Sequence, residues 1–366
     1  MARSGITTGT CAAIAAKAAA RMLLNGNTVK TEYVITPQGV RVEVEILEAK
    51  IAADYVECAV RKYSGDDPDI TNGVLVYARV SYAAAGIIID GGMGVGRVTK
   101  PGLDQPIGAA AINSVPRSMI KDAVSDVLDR YGAECGMRVV ISIPAGAELA
   151  KKTFNPRLGI EGGISVLGTS GIVEPMSTKA IIDTIEVELN VRRAEGKNYV
   201  IIAPGNYGRD YVSETFGIDI EAAIKCSNYI GDTIDLIAEK EFKGFMLIGH
   251  AGKLIKLAAG IMNTHSSVAD GRMEILCAHA ALCGAPVSVR GRIMESVTTD
   301  DAIAVLKEYD IFEPVMRSIR DKIDFYINKR CGSDIVYAFL IFSNVHGELC
   351  RGGNDEMLNK VMEEYK

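Results

Sequence analysis

The chain has 366 residues, of which 48% are hydrophobic, 23% are charged and 6% are aromatic, and its formal net charge is −6. This length provides for more than one hydrophobic core and predicts two domains. Because the sequence has no basic run and few aromatic side chains for stacking bases, we expect no nucleic-acid partner. No stretch approaches the roughly 18 uninterrupted apolar residues of a membrane span, so we expect no membrane partner. The eight scattered cysteines are typical of small buried side chains in a reducing cytoplasm, so we expect a cytoplasmic location.

The first predicted element is an alanine-rich helix over residues 11–24, which Asn25-Gly26 would end. The segment TTGT at residues 7–10 precedes it. Threonine there is typical of a helix cap, but threonines between glycines also suit an anion-binding helix start. Both interpretations stay open, and the second makes Thr8 and Thr10 candidate ligand-binding residues.

Strands follow the helix. Apolar and polar residues alternate over residues 40–46, which predicts a half-buried strand, and residues 55–63 and 74–82 also look extended. Between the last two lies SGDDPDITNG, which is typical of a solvated turn. Its aspartates also suit proton transfer, and Asp67 is the candidate there.

A glycine-rich loop, GGMGVGRVTKPG, follows a predicted strand over residues 86–90. No helix opens directly after it, so the loop fails the test for a dinucleotide-binding turn. Lys100 gives it a cationic tip instead. A helix over residues 116–131 and a strand over residues 137–143 complete a predicted α+β domain, with glycine-rich loops for substrate, over residues 1–194.

The segment KKTFNPRLGIEGGISVLGTSGIVEPMS, residues 151–177, suits neither a long helix nor a buried strand. Glycine lets the backbone approach a ligand closely, and freed N–H groups and hydroxyls can hold anionic groups. A surface connection is the plainer interpretation, but this segment is long and apolar, which favours a binding role. Its polar candidates are Lys152, Arg157, Ser170 and Glu174.

After a predicted helix over residues 178–194, short apolar runs alternate with glycine turns and helices. That order predicts a mainly parallel sheet with helical crossovers. We therefore expect an α/β, Rossmann-like domain over residues 195–366. A helix is predicted over residues 253–262, and a strongly apolar strand over residues 336–342.

Two strand ends in this half carry glycine turns, IIAPGNYGR at residues 201–209 and LIGHAGK at residues 247–253. Ligands of open α/β sheets bind outside the carboxyl ends of strands, so these turns are expected to flank one crevice. The second turn lacks the spacing of a phosphate-binding loop, which argues against ATP. The candidate cofactor-binding residues in the two turns are Gly205, Asn206, Gly208, Gly249 and Gly252.

Two histidines are candidates for acid–base chemistry. His250 lies at a strand end between glycines, and His265 lies in the polar segment NTHSSVAD at residues 263–270. No hydrolase, metalloprotease or kinase motif is present, and the cysteines lack metal-ligand spacing. We therefore expect no protein-bound metal.

Five long blocks, in this order along the chain, resemble the CbiD family. They are RSGITTGTCAAIAAKAA, GDDPDITNG, GGMGVGRVTKPGL with AINSVPRSMI, AKKTFNPRLGIEGGISVLGTSGIVEPMS, and GKLIKLAAGIMNTHS. The resemblance implies an enzyme of anaerobic cobalamin synthesis. It implies transfer of a methyl group from S-adenosylmethionine to ring carbon 1 of cobalt-precorrin-5B, giving cobalt-precorrin-6A.

That chemistry needs no protein nucleophile, because the sulfonium is already activated. It does need alignment of the two reactants and, as the new bond forms, a base for a proton of the macrocycle. The candidates for the base are His250, His265, Asp67 and Glu174. The many carboxylates of the cobalt-tetrapyrrole substrate need cations and polar groups. The candidate substrate-binding residues are Thr8, Thr10, Lys100, Arg117, Lys152, Arg157 and Ser170.

By analogy with nucleotide-binding sheets, S-adenosylmethionine is expected at Gly205, Asn206 and Gly208, and the cobalt is expected to arrive with the substrate. Two alternatives stay open: a non-catalytic tetrapyrrole carrier or assembly partner, and a phosphotransferase using residues 249–253. Binding of S-adenosylmethionine separates the enzyme from the carrier. The expectations are also compatible with a homo-oligomer.

Overall fold

The structure is a computed structural model that describes residues 3–175 and 177–365. The chain divides into two compact units, Met1–Ala180 and Ile181–Lys366. The division falls in the first turn of helix α5 (Thr178–Ala194), and the boundary expected from sequence, between residues 194 and 195, lies at the other end of the same helix.

The centre of the first unit is helix α1 (Thr8–Asn25), whose side chains from Cys11 to Ala20 are all buried. Thr7 caps the helix, because its hydroxyl accepts the N–H of Thr10 over 3.1 Å, and Gly26 ends it in the left-handed conformation. Small alanine side chains let the strands and helix α2 (Ser114–Tyr131) approach closely, and α1 packs against both.

A five-stranded sheet packs on α1 in the order β4 (Leu47–Ile51), β5 (Tyr55–Arg61), β6 (Leu75–Ala83), β9 (Gly136–Ser142) and β7 (Ile87–Gly91). Neighbouring strands are antiparallel except β7 and β9, which are parallel. Alternate residues of the sheet, such as Val56, Val80 and Ile141, enter the core, and the residues between them face outward. Short pairings, β1 with β11 and β8 with β10, tie the segment 151–177 to the rest of this unit.

The elements of the first unit, up to helix α5, are β1 (Gly5–Ile6), α1, β2 (Thr31–Ile35), β3 (Arg41–Glu45), β4 (Leu47–Ile51), β5 (Tyr55–Arg61), β6 (Leu75–Ala83), β7 (Ile87–Gly91), β8 (Arg97–Val98), α2, β9 (Gly136–Ser142), α3 (Gly146–Ala150), α4 (Asn155–Leu158), β10 (Ile160–Glu161) and β11 (Ile172–Val173).

The second unit contains a mixed five-stranded sheet in the order β13-β12-β14-β15-β16. The first four strands in this order are parallel, and β16 is an antiparallel edge. Its elements, after α5, are β12 (Tyr199–Ala203), α6 (Asn206–Phe216), a 3-10 turn (Ile220–Ala222), β13 (Ala223–Lys225), α7 (Ile230–Glu239), β14 (Gly244–His250), α8 (Ala251–Leu254), a 3-10 helix (Ile255–Ala259), α9 (Arg272–Leu282), α10 (Val287–Met294), α11 (Thr299–Glu308), α12 (Phe312–Cys331), β15 (Val336–Ser343), β16 (Gly347–Gly353) and α13 (Met357–Tyr365).

Both faces of this sheet are covered. Along β14, Phe245 and Leu247 enter one hydrophobic core, whereas Met246 and Ile248 enter another. The first core includes side chains of α5, α7 and α9 to α12, and the second includes side chains of α6 and α13. A strand buried on both faces reads as a continuous apolar run, which is how β12, β14 and β15 appear in the sequence.

Several elements differ from the sequence-based expectations. The helix expected over residues 253–262 is a short α-helix followed by a 3-10 helix that ends at Ala259. Strands β2, β13 and β16 and helix α10 were not predicted. None of the helices built by residues 3–175 and 177–365 has both the length and the apolar character that crossing a bilayer requires.

Candidate active site

A cavity of about 390 Å³ lies in the second unit, at the carboxyl ends of β12 and β14. Strand β13, which follows β12 in the chain, pairs with one edge of β12, and β14 pairs with the other edge. The strand order therefore reverses between β12 and β14. Such a reversal is where open α/β sheets bind ligands. The cavity is lined by Pro204, Gly205, Tyr207, Gly208, Gly249, His250, Gly252, Lys253 and Asn344.

The glycines of this cavity serve two purposes. A Cβ atom on Gly208 would lie 2.6 Å from the carbonyl oxygen of Ile248, so glycine there lets α6 pack directly on β14. A Cβ atom on Gly205 would meet only the Nζ of Lys253, at 4.0 Å, so this position is open. Among the residues that the structure describes, no side chain caps the start of α6 at Gly205, so the first backbone N–H groups of this helix can donate to a polar ligand. Asn206, the first residue of α6, is exposed beside the cavity lining.

His250 lies at the end of β14 with its imidazole fixed on one side. The N–H of Gly252 donates to its Nδ1 over 3.1 Å, and its ring packs edge-on against Phe342 at 5.7 Å between ring centroids. Because Nδ1 accepts a hydrogen bond, the neutral imidazole carries its proton on Nε2. Neutral His250 therefore offers a hydrogen-bond donor at Nε2.

Lys253 joins the two glycine turns. It lies in α8, and its Nζ donates to the carbonyl oxygen of Pro204, at the end of β12, over 2.6 Å. Burial lowers the pKa of its ammonium, and the nearby cations Lys225 and Lys256 lower that pKa further. The charge of Lys253 is thus half-buried in the cavity wall, which favours an anionic ligand group.

His265 lies outside this cavity lining, in the loop that follows the 3-10 helix. Its Nδ1 accepts the N–H of Ser267 over 3.1 Å, so its neutral form also carries the proton on Nε2. Buried Lys256 stabilises this loop, because its Nζ donates to the carbonyl oxygens of Thr264 and Ala269 over 3.1 and 2.8 Å. Burial lowers the pKa of the Lys256 ammonium.

In the first unit, the threonines of α1 contact the segment 151–177. The hydroxyl of Thr8 donates to the carbonyl oxygen of Leu167 over 3.2 Å, and that of Thr10 donates to the carbonyl oxygen of Gly171 over 2.6 Å. Ser170 donates to the carbonyl oxygen of Ile172 over 2.8 Å. The two threonine hydroxyls hold the glycine-rich segment against the start of α1, whereas the bond of Ser170 lies within the segment.

The two candidate carboxylates of the first unit occupy different settings. Glu174 is exposed and follows β11 directly. Asp67 is half-buried in the turn after β5, where its N–H donates to the carbonyl oxygen of Ser64. The neighbouring Asp69 pairs with the buried ammonium of Lys62, which also donates to Ser64 over 2.6 Å, so this aspartate organises the turn.

The basic candidates of this unit also differ in their contacts. Lys100 donates to the carbonyl oxygen of Arg157 over 3.4 Å, and the guanidinium of Arg157 lies 5.3 Å from the centre of the exposed Phe154 ring. Lys152, which precedes Phe154 and Arg157 in the chain, is exposed. The guanidinium of Arg117 instead donates to three backbone carbonyl oxygens, those of Ile89, Ala110 and Ile112, and burial lowers its pKa.

The first unit has its own cavity, of about 400 Å³, on the outer face of its sheet. None of the residues predicted from sequence lines it. An ion pair between Arg79 and Glu57, 2.8 Å apart, and the ring of Tyr77 form part of its wall. Sequence reasoning missed it because an outer sheet face of charged and aromatic residues looks like any solvated strand surface.

The structure thus brings four of the five predicted cofactor residues, Gly205, Gly208, Gly249 and Gly252, together with His250 around one cavity, and Asn206 lies beside it. Pro204, Tyr207, Lys253 and Asn344 complete that lining, and none of these four was among the predicted cofactor or catalytic residues. Within residues 3–175 and 177–365 there is no group of three or more His, Cys, Asp or Glu side chains arranged to hold a metal ion.

Comparison with known proteins covers both units. A family model described as CbiD matches residues 1–175, and one described as CbiD, C-terminal domain, matches residues 263–353. A cobalt-precorrin-5B C(1)-methyltransferase of Ruminiclostridium cellulolyticum is 49% identical over 95% of this chain and 90% of its own length. The protein of the same name from Moorella thermoacetica is 40% identical over 99% of this chain and 98% of its own length.

A crystal structure of cobalamin biosynthesis protein (cbiD) from Archaeoglobus fulgidus is 29% identical to this chain. The match covers 74% of this chain and 84% of that one, with a TM-score of 0.40. High identity over nearly the whole length of several relatives, together with the family-model matches, decides the assignment: the chain belongs to the CbiD family.

Proposed function

We propose that this chain is a methyltransferase that methylates ring carbon 1 of cobalt-precorrin-5B, giving cobalt-precorrin-6A in anaerobic cobalamin synthesis. The observation that carries the proposal is the 49% identity, over 95% of the chain, with a relative named cobalt-precorrin-5B C(1)-methyltransferase. The non-catalytic carrier is not favoured, because the relatives bear the name of an enzyme.

We propose S-adenosylmethionine as the methyl donor and the cavity at β12 and β14 as its site. The second unit is then a Rossmann-like domain with an antiparallel edge strand, and Gly205, Asn206, Gly208, Gly249 and Gly252 hold the cofactor. The cavity volume of about 390 Å³ falls within the range of small-molecule sites, roughly 300–1,000 Å³. Its open Gly205 and uncapped helix start suit a ligand that has both an apolar surface and polar groups.

When bound, S-adenosylmethionine supplies a methyl group that is already activated on a sulfonium. The chain itself then needs to hold the macrocycle, align its ring carbon and exclude water. We propose Thr8, Thr10, Lys100, Lys152, Arg157 and Ser170 as substrate-binding residues, with Arg117 supporting the loop around residue 112 through its three carbonyl contacts.

A base is needed for the proton that leaves the macrocycle, and the four candidates are not equivalent. In its neutral form, each of His250 and His265 carries its proton on Nε2, because Nδ1 accepts a backbone N–H. They are suited to donate a hydrogen bond to substrate or cofactor. We therefore favour the carboxylates, Asp67 or Glu174, as the base.

The remaining parts of the proposal concern partners and location. We propose a cytoplasmic enzyme whose substrate is a small cobalt-tetrapyrrole, with no nucleic-acid or membrane partner, and we leave a homo-oligomer open. A net charge of −6 and the lack of basic runs support the exclusion of nucleic acid.

The test is mass spectrometry of the macrocycle. Purified protein is incubated with cobalt-precorrin-5B and S-adenosylmethionine, and we expect a product heavier by one methyl group. Reactions without the donor, or with S-adenosylhomocysteine in its place, are the controls. A macrocycle that binds but keeps its mass in the complete reaction would contradict the proposal and favour the carrier.

A further inference from the structure

The cavity at β12 and β14 contains one feature that the methyl-transfer chemistry does not by itself require. Its wall includes the half-buried ammonium of Lys253, which donates to a neutral carbonyl oxygen, that of Pro204, over 2.6 Å. The ionisable groups that act on it are the thiol of Cys226 and two further cations, Lys225 and Lys256. Burial raises the pKa of the Cys226 thiol to about 12, so that thiol supplies no negative charge near neutral pH.

The contrast with the other buried lysines makes this feature informative. Lys17 pairs with Asp126 over 2.9 Å, Lys62 pairs with Asp69, and Lys256 has Asp270 at 3.9 Å. Among the ion pairs formed by residues 3–175 and 177–365, none involves Lys253. A cation taken partly out of water without a carboxylate is costly unless an anion joins it. The uncompensated charge faces a cavity, where a ligand can supply that anion.

We propose that Lys253 binds the carboxylate of the methionine end of S-adenosylmethionine, and that it selects donors that carry this group. The inference rests on the proposed function, since it assumes that the methyl donor binds in this cavity. One N–H of the ammonium donates to the carbonyl oxygen of Pro204, and the other N–H groups of the ammonium can donate to the ligand.

This assignment also orients the donor. A sulfonium is repelled by the same ammonium that attracts the carboxylate, so the two ends of the ligand are expected to lie at different distances from Lys253. Pro204 keeps the ammonium close to Gly205, whose added Cβ would lie 4.0 Å from Nζ. The carboxylate is therefore expected beside the β12 turn, with the sulfonium further along the cavity.

The test compares two ligands on three proteins by calorimetry. The ligands are S-adenosylmethionine and its decarboxylated form, which keeps the sulfonium and the nucleoside. The proteins are the wild type, Lys253→Met, and Lys121→Met as a control that removes one exposed charge from helix α2. Thermal unfolding shows whether each variant is folded.

We expect the wild type and Lys121→Met to bind S-adenosylmethionine about 10- to 100-fold more tightly than the decarboxylated form, since that is the usual contribution of a charged hydrogen bond. Lys253→Met is expected to bind both ligands with similar affinity. Equal binding of both ligands by the wild type would overturn the inference whatever the variant does, and so would an undiminished preference in folded Lys253→Met.

Two further outcomes separate this inference from the proposed function. If the wild type does not bind S-adenosylmethionine at all, the cofactor site of the proposed function is wrong, and the inference fails with it. A parallel titration with ATP tests a phosphate as the anion. Binding of ATP that is tighter than that of S-adenosylmethionine and depends on Lys253 would overturn the carboxylate assignment and favour a nucleotide.

Discussion

A set of glycines in the first unit and Gly205 of the second unit have opposite roles. In the first unit, Gly94, Gly146 and Gly163 interlock: a Cβ atom on Gly146 or Gly163 would lie 2.0 or 2.2 Å from the carbonyl oxygen of Gly94. In the second unit, a Cβ atom on Gly205 would reach only the Nζ of Lys253, at 4.0 Å. The first set makes backbone packing possible, and the second leaves room for a ligand. A glycine-rich motif therefore does not by itself indicate a binding loop.

The largest expected effect comes from breaking the interlocked set with Gly94→Ala. The new Cβ would lie 1.9 Å from the carbonyl oxygen of Ile143, and the residue has a φ of +72°. We expect a loss of about 3–5 kcal/mol of unfolding free energy, from overpacking together with left-handed strain, measured by urea denaturation.

Gly108→Ala is the matched control, because Gly108 has a φ of +86° and no atom within 4 Å of an added Cβ. This variant should lose only the part of the unfolding free energy that comes from left-handed strain, about 1–2 kcal/mol. Equal losses in the two variants would show that close packing around Gly94 contributes nothing.

The next effect concerns one buried ion pair of the first unit, that of Asp69 with Lys62, which we expect to serve folding. Asp69→Asn leaves the buried ammonium of Lys62 without its carboxylate and should cost about 3 kcal/mol. Burial alone would raise the pKa of Asp69, but hydrogen bonds from Lys62 and Thr71 outweigh it and leave the pKa below its usual value. A lowered folded pKa gives stability that is complete above the unfolded pKa, about 3.9, and is lost as pH falls through the folded pKa.

The wild type should therefore lose stability more steeply below about pH 4 than Asp69→Asn does. Denaturant melts at several pH values measure this. Asp66→Asn, which breaks the exposed pair with Arg3, is the control and should have the smaller effect on stability. Parallel pH profiles for the wild type and Asp69→Asn would count against the role assigned to this pair.

The smallest effect on stability is expected for Gly205→Ala, which enters open space and should change the unfolding free energy by less than about 0.5 kcal/mol. Its effect should appear in calorimetry, as weaker binding of S-adenosylmethionine, because the methyl group takes up ligand space. Gly291→Ala is the control: it adds a methyl group elsewhere in the second unit, where no atom lies within 4 Å of the added Cβ, and should leave affinity unchanged. Unchanged affinity in folded Gly205→Ala would refute the cofactor placement.

Much of the second unit's sheet could be predicted, because β12, β14 and β15 are continuous apolar runs that end in turns. Edge strand β16 could not, since GELCRGG has little intrinsic preference for a strand and is held by its pairing with β15. Tertiary pairing overrides local preference there.

The candidate site, like the sheet, could be predicted from the sequence only in part. The strand-end rule brought Gly205 and Gly249 to one cavity from sequence alone. Asn344 was missed because its place in the lining depends on the turn between β15 and β16, and β16 was not predicted. The role proposed for Lys253 could not be predicted either, since a lysine without a carboxylate partner is recognised only once its surroundings are known.

Helix α1 has a consequence for how the protein is made. The helix at the centre of the first unit leaves the ribosome before β5, β6, α2 and β9, the elements that supply its packing partners. Until Ser142 at the end of β9 has been added, a nascent chain holds an apolar, alanine-rich helix that lacks part of its cover. Translation that pauses earlier should therefore leave this segment exposed to chaperones and to aggregation.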